Sequence, residues 1–255
     1  MEIEILGAHN LESTDTRLVT LLIDGVLAVD AGSLTSGLTL EAQANIEAIL
    51  LSHRHFDHIK DVAIFGLATA VFGPTPVYAT ADVLEALSTH ITNGILFPDF
   101  TKAPSAESPS LEFRTLEPLK TVDILGYKVT PRPCNHSVPS HGFEIEKDGK
   151  TLFYTSDTGP GLGPLWETIS PQLLITELTG PNRLREWLNK SGHLTPAQLL
   201  DEMKEFERLK GFLPEVILVH FNPYWRDEVE TELEAVAAEL DTPVTGAWEG
   251  MKIEL

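Results

Sequence analysis

The chain has 255 residues, 42% hydrophobic and 22% charged, ordinary usage for a folded globular protein and not for a disordered or fibrous one. Eighteen Lys and Arg face 38 Asp and Glu, a net charge of −20. Such a surface repels phosphate backbones and makes nucleic acid an unfavourable partner, although a buried metal would still admit a small anionic substrate.

In chain order, Leu18–Ile23 and Val26–Val29 flank Asp24-Gly25, a strong two-residue hairpin signal. The apolar run Ile49–Leu51 suits a buried strand, and polar, His-rich sequence follows it at once. The segment Thr92–Ser110 carries Pro98, Pro104 and Pro109, yet also Ile95, Leu96, Phe97 and Phe100. It reads as a packed insertion rather than disorder, a flap or an oligomer contact at residues 92–110. A second hairpin is expected at Phe143–Glu146 and Thr151–Tyr154 through Asp148-Gly149.

Thr195-Pro196-Ala197-Gln198 combines an N-cap, a proline at the first helical position and a capping-box Gln. Leu199, Leu200, Met203, Phe206 and Leu209 continue it as an apolar stripe. Val216–Val219 reads as a buried strand, and Val229, Leu233, Val236 and Leu240 mark a last helix. No linker separates these elements, so residues 1–255 read as one α/β domain. Cys134 is the only cysteine, which excludes an internal disulfide and suits a reducing compartment. No stretch approaches the ~20 apolar residues of a membrane helix. A cytoplasmic protein is expected.

Ser52-His53-Arg54-His55-Phe56-Asp57-His58 places three imidazoles and a carboxylate in six residues, directly after a buried strand. Imidazole with carboxylate suits zinc or a similar first-row ion, and one tetrahedral centre cannot easily use all four. Further candidate ligands stand at strand ends: His136 in Cys134–His141, Asp157 after Leu152–Ser156, and His220 after Val216–Val219. A lone histidine at a strand end is more often structural, but crowding four such groups at 53–58 without a metal is costly and raises the odds for the rest. His9 and His90 read as structural histidines.

The pattern His-x-His-x-Asp-His, with later His, Asp and His, resembles the metallo-β-lactamase superfamily over nearly the whole chain. That resemblance implies an α/β fold, the αβ/βα four-layer sandwich of the metallo-β-lactamase type, with a dinuclear site at its edge. It implies that His53, His55 and His136 hold one metal, and that Asp57, His58 and His220 hold the other, with Asp157 bridging. It also implies that Asp30 orients the ligand loop. Asn135–Phe143 and Tyr154–Gly159 are similar to ribonuclease Z and its phosphodiesterase relatives. Ser191–Pro196 and Val219–Pro223 resemble segments of class II cyclic-nucleotide phosphodiesterases. Two departures stand out: Gly7-Ala8-His9-Asn10 replaces the family's glycine-rich stretch, and Asp61 stands where a glycine commonly follows the motif.

The expected function is therefore a metal-dependent hydrolase with two Zn2+ per chain, Mn2+ or Fe being alternatives. The substrate expected is a small phosphodiester such as a 3',5'-cyclic nucleotide. Two metals ~3.5–4 Å apart would clamp the phosphoryl oxygens and generate hydroxide. Asp57 and His193 are the expected catalytic residues. His193 precedes the Thr195 N-cap, where backbone N–H groups favour an anion. The alternatives are a tRNA 3'-processing endoribonuclease, a lactone, ester or β-lactam hydrolase, and a non-catalytic metal protein. The resemblance also allows a homodimer.

Overall fold

The computed structural model describes residues 1–255. Its first half lays down β1 (Glu2–Gly7), β2 (Thr20–Ile23), β3 (Leu27–Val29), β4 (Ala48–Leu50) and β5 (Thr75–Ala79). A small hairpin follows, β6 (Pro104–Ser105) with β7 (Ser108–Pro109), and then β8 (Leu111–Thr115). The second half supplies β9 (Val122–Ile124), β10 (Tyr127–Cys134), β11 (Ser140–Lys147), β12 (Lys150–Tyr154), β13 (Leu173–Glu177), β14 (Glu215–Val219) and β15 (Val244–Gly246). The last strand, β16 (Met251–Glu254), returns to pair with β1, so the first sheet runs β16-β1-β2-β3-β4-β5-β8. The second runs β15-β14-β13-β12-β11-β10-β9.

Both hairpins read from the sequence are present. Asp24 and Gly25, and again Asp148 and Gly149, all take positive φ, the backbone that Asp-Gly turns accommodate. The facing sides of the sheets meet in one apolar layer that includes Ile3, Leu21, Val29, Leu50, Phe143, Tyr154, Ile175 and Val219. The outer side of the first sheet is covered by α1 (Leu40–Gln43), α2 (Phe56–Ile59), α3 (Val62–Ala68) and α4 (Ala81–Ala86), which bury Val62, Phe65 and Val83. The outer side of the second carries α5 (Gly163–Trp166), α6 (Arg185–Ser191), α7 (Pro196–Lys210) and α8 (Arg226–Leu240), with Trp166, Met203, Phe206 and Val229 buried. Two sheets between two helical layers form the αβ/βα sandwich that the motif implied. The Thr195–Gln198 capping box starts α7, an arrangement that contributes about 1 kcal/mol to such a helix.

Residues 92–110 divide into two parts. Phe100 is buried under the first helical layer and Phe97 packs against it, whereas Ile95 and Leu96 are 84% and 71% exposed. The expected packing of the whole apolar cluster is therefore confined to its second half.

The strands β3, β4, β12, β13 and β14 run in parallel runs within their sheets. Their carboxyl ends converge on one edge, where open α/β sheets place their ligands. Three non-glycine residues just past strand ends there, Asp30, Ser156 and His220, have φ between 57° and 66°. Left-handed backbone at such residues is strained and clusters at functional sites.

Candidate metal centre

His53 follows β4, His55 caps the short α2, and Asp57 and His58 lie within it. The helix brings its carboxylate and imidazole back toward the strand ends, where His136 follows β10, Asp157 follows β12 and His220 follows β14. Two sets of ligating atoms result, His53, His55, His136 and Asp157 in one and Asp57, His58, Asp157 and His220 in the other. Within each set all atoms lie within 4.8 Å of one another.

The separations are those of atoms around a shared ion. Ligands at ~2.0–2.1 Å from a tetrahedral ion stand ~3.3 Å apart. Asp157 Oδ1 is 3.2 Å from His58 Nε2, and its Oδ2 is 3.3, 3.7 and 3.9 Å from Nε2 of His220, His53 and His136. Asp57 Oδ2 lies 3.5 Å from His220 Nε2 and 3.7 Å from His58 Nε2. The buried Nε2 atoms of His53, His58 and His220 and Oδ1 of Asp157 have no hydrogen-bond partner. Leaving four such groups unpaired in a protein interior is costly. A divalent cation is the species that satisfies them together.

The outer partners decide which ring nitrogen faces the basin. Asp30, fully buried, accepts from Ser52 N (2.9 Å), Ser52 Oγ (2.9 Å), His58 Nδ1 (2.8 Å) and Tyr154 OH (2.8 Å). His58 thus carries its proton on Nδ1 and turns the Nε2 lone pair inward. Because Ser52 Oγ donates to Asp30, it accepts from His53 Nδ1 at 3.1 Å, which fixes His53 the same way. His136 Nδ1 donates to Gly192 O at 2.9 Å, so its Nε2 faces His55 Nδ1 at 3.1 Å. Thr179 Oγ1 donates to Glu177 Oε2 at 2.9 Å and accepts from His220 Nδ1 at 2.8 Å.

Titration follows the same geometry. Burial, with the neighbouring His58, lowers the His53 pKa well below its usual value. Burial opposes a charge on His58, but Asp157 and Asp30 outweigh it and raise that pKa well above the usual value. Burial likewise opposes ionisation of Asp157 and Asp57, yet the surrounding imidazoles, led by His220 for Asp157 and His58 for Asp57, hold both carboxyls below the usual range. A metal entering this basin displaces protons from imidazole nitrogen.

The description "Beta-lactamase superfamily domain" matches residues 20–221. The chain belongs to that superfamily. It is 27% identical over 205 residues to a probable 3',5'-cyclic-nucleotide phosphodiesterase of Yersinia pestis, covering 70% of this chain and 58% of that protein. It is 31% identical over 128 residues to ribonuclease Z of Mycobacterium bovis, covering 46% of each chain. The chain thus spans less than two thirds of these curated relatives. Among solved structures, the unliganded yeast PDE1 superposes with a TM-score of 0.79 at 17% identity, covering 100% of this chain and 99% of that one. The metallo-beta-lactamase fold protein YhfI from Bacillus subtilis gives 0.76 at 19%, with the same coverage.

His193 stands beside the basin. Its ring stacks on His220 at 5.2 Å and meets His136 edge-on at 5.0 Å. Its Nδ1 lies 2.9 Å from Oε1 of the fully buried Glu177. Burial works against a charge on His193, but Glu177 outweighs it and raises the pKa to about 9. Glu177, His193 and His220 form a third close set, but the Glu177 carboxylate is already engaged by Thr158 N, Thr179 Oγ1, His193 and Leu194 N. It therefore serves as a hydrogen-bond acceptor and not as a metal ligand.

Sequence reasoning missed Glu177 and Thr179. The available signal was an apolar run, Leu173–Ile175, followed at once by Thr176 and a carboxylate at Glu177. His9 Nδ1 lies 2.6 Å from Glu249 Oε1. His90 lines a cleft together with His55. Asp61, in place of the family's glycine, accepts from Thr35 N and Thr35 Oγ1 at 2.8 and 2.7 Å and so ties down the loop after Asp30.

Proposed function

We propose that the protein is a dinuclear metal-dependent phosphodiesterase for small phosphodiesters such as 3',5'-cyclic nucleotides. Zinc is the expected metal, with His53, His55 and His136 in one shell, Asp57, His58 and His220 in the other, and Asp157 between them. The observation that carries the reading is the His193–Glu177 pair at 2.9 Å, which sets a proton donor against a basin of metal ligands. The Yersinia pestis relative supports the phosphodiester over other hydrolysable bonds.

Divalent ions held here would supply Lewis-acid polarisation of the phosphoryl group and of water. The chain's own residues do the rest. Asp57, whose side chain is 32% exposed and the most open of the carboxylates, accepts a hydrogen bond from the attacking water and orients it. Glu177 holds the Nδ1 proton of His193, which leaves Nε2–H to donate to the leaving oxygen. As the water oxygen bonds to phosphorus and the bond to the leaving oxygen breaks, the Nε2 proton passes to the departing alkoxide, and the proton shed by the water leaves to solvent past the Asp57 carboxylate. His193 is left as a neutral imidazole oriented by Glu177 and Thr179.

The ribonuclease Z relative favours a second reading, tRNA processing, but a net charge of −20 opposes binding of a polyanion. Metal-loaded protein assayed with a cyclic nucleotide, bis(p-nitrophenyl) phosphate, a precursor tRNA, a β-lactam and a lactone distinguishes the readings. Turnover of the small phosphodiesters alone is expected. Turnover confined to the lactam, the lactone or the tRNA would overturn the proposal.

A further inference from the structure

A cleft of about 470 Å³ opens beside His55, one of the residues of the metal basin. Arg54, Phe56, Ile59, His90, Ile91 and Leu96 make up most of its remaining wall. Phe56 and Leu96 are 62% and 71% exposed. Apolar side chains grouped in water mark a binding surface. No carboxylate lines the cleft, although the chain carries 38 acidic residues, and its one fixed charge is the Arg54 guanidinium, held by Asp82 at 3.1 Å.

The loop that carries Leu96 is pre-formed. Residues Leu87–Ile91 make a π-helical turn, a wide geometry frequent at functional sites. Asn93 Oδ1 then accepts from the N–H of Ile95 at 2.9 Å and of Leu96 at 3.3 Å, and Asn93 Nδ2 donates to Thr89 O at 2.8 Å. Phe100, further along, roots the segment in the core.

We infer that this cleft holds the organic group of the substrate, an uncharged aromatic or nucleobase-sized ring, against Phe56 and Leu96. The phosphoryl group then lies on the His55 side, at the metal basin. The inference rests on the phosphoester chemistry proposed above. A ring is favoured over an alkyl chain because Phe56, two imidazoles and a planar guanidinium, groups on which rings stack, all line the cleft.

The test is equilibrium binding of phenyl phosphate and methyl phosphate to the metal-loaded protein, followed by calorimetry. The wild type should bind phenyl phosphate at least about tenfold more tightly. In Leu96→Ser and Phe56→Ser, both at exposed positions, that ratio should fall toward one. A ratio near one in the wild type, or an unchanged ratio in both variants, would overturn the inference. Hydrolysis of bis(p-nitrophenyl) phosphate is scored separately: its absence counts against the phosphodiesterase reading, while the binding ratio still decides the cleft. Sedimentation provides the third arm. A wild-type dimer that becomes a monomer in Leu96→Ser, with the ratio unchanged, would assign the patch to a contact between copies and reject the ring site.

Discussion

His193 Nδ1 and Glu177 Oε1 are 2.9 Å apart, and the carboxylate is wholly buried and held by three further donors. This pair orients an imidazole that carries no metal in the assignment above. His193→Ala should retain metal and lower kcat by roughly 10²–10⁴ on a phosphodiester with a poor leaving group. The loss should shrink with a nitrophenolate leaving group, which needs little protonation. Glu177→Gln should show the same leaving-group dependence with a smaller loss. Equal losses on both substrates would exclude the acid role.

Asp30 fixes the tautomer of His58 through a 2.8 Å contact with its Nδ1 and is not itself one of the ligating groups. Asp30→Asn should therefore weaken metal binding by about 10–100-fold, as loss of an outer partner generally does. Competition with a chromophoric chelator measures this. Calorimetry in buffers of different ionisation enthalpy should also detect proton release when the wild-type basin takes up metal.

Gly192 has a φ of 76°, and a Cβ there would lie 2.7 Å from His136 Cα. Its carbonyl also accepts the His136 Nδ1 proton at 2.9 Å. Gly192→Ala should cost about 1–3 kcal/mol in denaturant unfolding of the metal-free protein. It should also weaken the metal shell containing His136 more than the other.

The His9–Glu249 pair predicts a pH dependence away from the metals. Burial alone would raise the Glu249 pKa, but His9 and the Arg17 N–H bring it down to about 2. A carboxylate whose pKa is lowered on folding stabilises the fold above its unfolded value of ~4.3 and loses that contribution as pH falls toward about 2. In chelator-treated protein, the Tm difference between wild type and Glu249→Gln should be largest above pH 5 and shrink steadily below pH 4.

What the chain discloses before folding depends on how local each feature is. His53, His55, Asp57 and His58 are contiguous, and the Asp24-Gly25 and Asp148-Gly149 turns depend only on their own backbone preferences, so all were legible. Glu177 was not. Its partners Thr158 and Leu194 lie 19 and 17 residues away, and only the fold brings them to one carboxylate. The exposure of Ile95 and Leu96 was equally hidden, because composition identifies apolar residues without saying which of them the core has room for. Phe100 fills the space beneath Gly66, where a Cβ would come within 3.0 Å of its ring, and its neighbours toward residue 95 are left at the cleft.

Seven side chains are assigned to two metal shells that share Asp157. Elemental analysis of protein purified without chelator, combined with amino-acid quantitation, gives the metal stoichiometry of these shells. About two transition-metal ions per chain are expected, falling to one or fewer in Asp157→Ala with most activity lost. A stoichiometry near one in the wild type, with all seven side chains intact, would contradict the assignment.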